Sequence, residues 1–141
     1  MKKAFPAALA VFVLLVASAC GARARYEESL REIDTGVFSG LGFESARDRY
    51  PAEFAAFEGS SWEAVPGAEK ADALYERAMR AWAALRDAAS ALGDSDGAAP
   101  VRLAAVSHGG FIQWLSRSTY GARSWMPLVS TANCGIFELF V

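Results

Sequence analysis

The chain has 141 residues, 53% hydrophobic and 12% aromatic, with a formal net charge of −2. That is enough for one domain with a packed core, and it excludes wholesale disorder. The acidic balance excludes nucleic acid as a bulk electrostatic partner. One histidine and two cysteines, Cys20 and Cys134, supply neither a disulfide framework nor a metal site, and no cofactor is indicated.

The first twenty residues read as a leader. Lys2 and Lys3 precede an apolar run from Ala4 to Ala19, and Ala17-Ser18-Ala19 leads into Cys20. A basic start, an apolar middle and small residues before a break are the pattern of a secretory signal. Small residues ahead of a cysteine also resemble a lipoprotein signal, in which Cys20 would be lipidated. The run falls short of the roughly 20 apolar residues of a spanning helix. Two other readings stay open: a buried element of the domain, or a wrongly placed start. A genuine leader implies the cell envelope or secretion, with the leader or Cys20 as membrane anchor. A misplaced start implies the cytoplasm.

Residues 21–141 then form the domain. Arg23 to Asp34 is charged, a short helix or a connector. Thr35 to Gly42 holds three glycines and reads as a loop. Phe43 to Phe57 has apolar residues at mixed three- and four-residue spacing and predicts a helix interrupted by Pro51. Gly59 to Gly67 is a second loop. Ala71 to Leu92 is the strongest helix, with a stripe of Leu74, Ala78, Ala81, Trp82, Leu85, Ala88, Ala89 and Leu92. Gly93 ends it, and a polar loop runs to Pro100. Val101 to Val106 reads as a buried strand. Gly110 to Tyr120 reads as a helix with Phe111, Trp114 and Leu115 inward, closed by Gly121. Gly135 to Val141 reads as a terminal strand. This succession predicts an α/β domain, although two strands are too few for a stable open sheet.

The most informative stretch is Val101 to Phe111. An apolar run ends at Ser107, the sole histidine follows as His108, and Gly109 and Gly110 open a helix. A strand end feeding a helix N-terminus is an anion site in α/β sheets, because free amides and the helix dipole converge there. Ser107 next to His108 is not a nucleophile–base pair, since neighbours on a strand face opposite ways. No Gly-X-Ser-X-Gly elbow occurs.

Val106-Ser107-His108-Gly109-Gly110 resembles the second-histidine motif of the histidine phosphatase superfamily, which includes the cofactor-dependent phosphoglycerate mutases. Other segments resemble that family in its own order. Leu30 to Leu41 is similar to the segment carrying the acid that protonates the leaving group, and Tyr50-Pro51 follows it. Pro66-Gly67-Ala68-Glu69 resembles the Pro-Gly-Gly-Glu turn before the long helix. Asn133-Cys134-Gly135-Ile136 resembles the asparagine turn before a late strand.

The resemblance implies a three-layer α/β/α sandwich of the phosphoglycerate mutase-like type, here partial, with the N-terminal strand and its motif missing. It implies His108 as a phosphate-binding and catalytic residue with Gly109 and Gly110, and Glu32 as the general acid. The expected partner is a phosphorylated small molecule. The family's nucleophilic histidine lies in an Arg-His-Gly motif, and these 141 residues contain neither that motif nor a second histidine. The expectation is therefore phosphoryl-transfer ancestry with little or no activity in this polypeptide. Two alternatives stand beside it: a secreted or lipid-anchored module that binds phosphate esters without turnover, and the remnant of a truncated gene.

Overall fold

The computed structural model describes residues 21–93, 102–125, 135 and 136. The expected leader with Cys20, the turn residues Asn133 and Cys134, and all but Gly135 and Ile136 of the terminal segment lie outside the described residues.

Four α-helices organise the described chain: α1 (Phe43–Arg49), α2 (Pro51–Gly59), α3 (Ala71–Gly93) and α4 (Gly109–Thr119). Three single 3₁₀ turns, Glu28–Leu30, Gly36–Phe38 and Trp62–Ala64, punctuate the connections. Pro51 stands at the start of α2, where its missing N–H is no loss, and Tyr50 is the break between α1 and α2. The predicted interrupted helix is thus two helices. The predicted long helix is α3.

The α/β expectation is corrected. Among the described residues there is no strand and no sheet, only an antiparallel bridge between Thr35 and Ala68. The segment read as a buried strand is irregular from Arg102 to Ser107, with Leu103 and Val106 43% and 46% exposed. An apolar run becomes a strand only where another backbone pairs with it, and no described segment does.

The core is in two parts. Leu30, Leu74, Ala78, Ala81, Phe111 and Trp114 are buried where α3 meets α4. Trp82 of α3 locks that pairing, its indole N–H donating to the Leu115 carbonyl at 3.2 Å and the Ser118 hydroxyl at 3.0 Å. The second part gathers Phe38, Ala46, Phe54, Val65 and Ala68. The Phe38 ring there lies within 6.3 Å, centroid to centroid, of Tyr50, Phe54, Phe57 and Trp62. Trp62 and Trp125, 6.5 Å apart, connect the two. Only the first half of the α3 stripe is core, for Leu92 is 54% exposed.

Candidate functional site

His108 stands at the N-cap of α4 with extended backbone (φ −107°, ψ 153°), and its carbonyl accepts from Ile112 N–H at 2.9 Å. Its side chain makes no capping bond to the helix. The first-turn amides at Gly109 and Gly110 are therefore not taken up by the N-cap ring, and they carry the positive end of the helix dipole. Gly109 is exposed and Gly110 half-buried.

Glu32 reaches this point from the other end of the chain. Its Oε2 lies 3.8 Å from Nδ1 of His108. Its Oε1 accepts from Ile33 N–H at 2.9 Å. A methyl group at position 110 would fall 2.8 Å from that same Oε1 and 3.2 Å from the Ile33 side chain, so the glycine provides the room in which the carboxylate sits. The structure brings together four sequence-predicted residues: His108, Glu32, Gly109 and Gly110.

The Ser107 side chain is engaged elsewhere. Its hydroxyl donates to the Leu30 carbonyl at 2.7 Å.

Arg77, 4% exposed on α3, is the residue the sequence reading overlooked. Its fork grips Glu69 twice, Nε to Oε1 at 2.7 Å and Nη2 to Oε2 at 2.8 Å. Its Nη1 donates to the carbonyls of Ser29 and Arg31, at 3.1 and 2.8 Å. The guanidinium carbon lies 3.9 Å from the centroid of the fully buried Phe111 ring, in the first turn of α4. Glu69 closes the Pro66-Gly67-Ala68-Glu69 turn, and its Oε2 also accepts from Asp34 N–H at 3.3 Å.

A groove of about 1030 Å³ runs beside the site, lined among others by Phe57, Trp62, Gln113 and Trp125. It meets the site at Ile33 and Gly110 but is not lined by His108 or Glu32. The imidazole therefore lies outside the lining of this concavity. Arg117, also 4% exposed, borders the groove and donates to the Trp125 carbonyl at 3.1 Å. Desolvation draws its guanidinium below the ordinary arginine value. No group of three or more metal-ligating side chains occurs among the described residues, and none of their helices is long and apolar enough to cross a membrane.

A lone imidazole, a carboxyl group against it and a helix N-terminus form a small set of groups able to hold an oxyanion and hand it a proton. The family model of the histidine phosphatase superfamily (branch 1) matches residues 12–139. The chain belongs to the histidine phosphatase superfamily. Its ancestry is that of phosphatases and phosphomutases, as the motif order of the sequence implies. The match begins within the apolar segment read as a leader. Searches of curated proteins and of solved structures each returned no match.

Proposed function

We propose that His108, Glu32 and the first-turn amides of α4 hold the phosphoryl group of a phosphorylated small molecule, and that these 141 residues bind it without turning it over. The observation that carries this reading is the 3.8 Å approach of Glu32 to His108 at the uncapped start of α4. Superfamily membership makes a phosphate ester the natural ligand chemistry.

In this arrangement the imidazole and the amides donate to non-bridging oxygens. Glu32, 3.8 Å from the imidazole, is the carboxyl group that would face the leaving-group oxygen of a bound ester.

Turnover needs one group more. Phosphoryl transfer through histidine requires an imidazole in line with the leaving group, in addition to donors for the equatorial oxygens. The sequence has one histidine, and it cannot occupy both places at once.

Isothermal calorimetry of the full chain with inorganic phosphate and with p-nitrophenyl phosphate tests both halves of the reading. Saturable binding lost in His108→Ala, with the fold retained, is the expected result, together with hydrolysis no faster than in buffer. Absence of binding refutes the site. Hydrolysis that disappears in His108→Ala refutes the claim of binding without turnover.

A further inference from the structure

We propose that Arg77, anchored by Glu69, is the positioning residue that sets Glu32 against His108. Its functional meaning rests on the phosphate-site reading above.

Glu32 has little to hold it in place by itself. It is 42% exposed, and the bond from Ile33 N–H to its Oε1 is local. Its approach to His108 is inherited from its backbone, and that backbone is fixed from both sides. On the N-terminal side, three consecutive carbonyls are taken: Ser29 and Arg31 by Arg77, and Leu30 by Ser107. On the C-terminal side, Asp34 is tied to Glu69 twice, its N–H donating to the Glu69 carboxylate and its carbonyl accepting from Glu69 N–H at 2.8 Å. Residues 32 and 33 are therefore bracketed by one ion pair, with Arg77 at one end and Glu69 at the other.

The same guanidinium reaches the other half of the site. Phe111, whose ring it covers, stands three residues after His108 in the first turn of α4. One buried planar cation thus touches the segment that carries the acid and the helix that carries the imidazole. A lysine cannot copy this. It offers a point charge without the fork, and without a flat face for the ring. The arrangement also gives the Pro66–Glu69 turn a part in the site, which it does not touch directly: it delivers Glu69 to Arg77.

The single histidine makes the test clean, because ring-labelled protein gives one set of imidazole NMR signals. The full chain is compared with Glu32→Gln, with Arg77→Lys, and with the double variant. In the wild-type background, Glu32→Gln shifts the His108 ring signals. In the Arg77→Lys background that shift falls to less than half. Glu69→Gln, which leaves Arg77 in place, is the second variant and gives the same loss of response.

A full response to Glu32→Gln in both backgrounds, with only the melting temperature lowered, overturns the positioning role and leaves the phosphate site standing. Loss of the folded state in both variants assigns the pair to stability and overturns the proposal. A wild-type chain whose histidine does not sense Glu32→Gln removes the contact itself and both readings with it.

Discussion

The Ser107 hydroxyl donates at 2.7 Å to the carbonyl of Leu30, 77 residues earlier in the chain. This bond joins the residue preceding the only histidine to the segment that ends in Glu32. It explains how an irregular stretch, Arg102 to Ser107, delivers His108 to a defined place with no strand among the described residues. The adjacent side chain, rather than a ladder of backbone bonds, fixes the approach.

Replacing Ser107 by alanine removes that bond and leaves a partly buried carbonyl short of a donor. A loss of about 1 kcal/mol is expected, read from the urea midpoint at unchanged slope. Phosphate affinity falls with it, because His108 is released one residue from its anchor. Stability lost with full affinity retained would show that the helix alone holds the imidazole.

Gly110→Ala separates the site from the fold. The new methyl falls 2.8 Å from Glu32 Oε1, the far end of a flexible side chain, and 3.2 Å from the Ile33 side chain. The carboxylate can move aside, at the expense of its bond from Ile33 N–H. Alanine in place of glycine in a helix returns up to about 1 kcal/mol. The expected outcome is a melting temperature within a few degrees of wild type, together with loss of the His108–Glu32 contact in the histidine ring spectrum. An unchanged ring spectrum would contradict the packing described for position 110.

What the sequence made legible follows from what is local. The helix start at Gly109, the break at Pro51 and the stripe through Leu74, Ala78 and Ala81 depend on neighbours within a turn, and all appear. The strand at Val101 to Val106 depends on a partner backbone that no local pattern announces, so an apolar run alone misleads. Arg77 was readable in principle. It stands three residues after Leu74 and four before Ala81, where the stripe asks for an apolar residue, and a charge in that place is a sign of a buried partner. Arg117 repeats the signal three residues after the buried Trp114. That Glu69 is the partner of Arg77 could come only from the folded chain. The meeting of His108 with Glu32 was legible through the order of family motifs, not through any property of the residues between them.

Glu32→Gln keeps the shape of the side chain and removes its charge. If the site holds a phosphate dianion, the amide relieves repulsion and can still donate. Affinity for inorganic phosphate rises by about three- to tenfold, or about 0.7–1.4 kcal/mol. Because Glu32 is 42% exposed, solvent screening keeps the effect modest. Calorimetry decides the sign, and weaker binding in the variant would mean that the carboxyl does not face the anion.

Acid sensitivity should appear at the start of the described chain. The Ser29 hydroxyl and Ser29 N–H both donate to Glu27 Oε1, at 2.7 and 3.2 Å, and hold the Glu27 carboxyl below its usual value. A carboxyl whose value is depressed by folding adds stability above its unfolded value, about 4.3, and loses that contribution as pH falls through the folded value. Wild type should therefore lose more stability than Ser29→Ala between about pH 5 and pH 3. Urea melts across that range measure the difference, and parallel curves for the two proteins would exclude the linkage.

Gly36 carries the tightest backbone contact among the described glycines. Its φ is +59°, and a methyl group there would lie 2.1 Å from the Pro66 carbonyl oxygen, 2.4 Å from Ala68 N and 2.6 Å from Gly67 C. All three atoms are main chain and cannot swing away. The contact is held by the Thr35–Ala68 bridge, by Val37 N–H donating to the Pro66 carbonyl at 3.0 Å, and by Gly36 N–H donating to Asp34 Oδ1 at 2.9 Å. Gly40 provides the control, because its φ is +79° and nothing lies within 4 Å of the same methyl. Gly40→Ala should cost only the left-handed backbone term, about 1–2 kcal/mol. Gly36→Ala adds a steric clash that the turn can relieve only by parting from Pro66, and a total of about 3 kcal/mol or more is expected. Since Glu69 is the next residue after Ala68, displacement of the turn should also loosen Arg77 and blunt the response of His108 to Glu32→Gln. Equal destabilisation by the two substitutions would show that the two loops do not meet as closely as Gly36 requires.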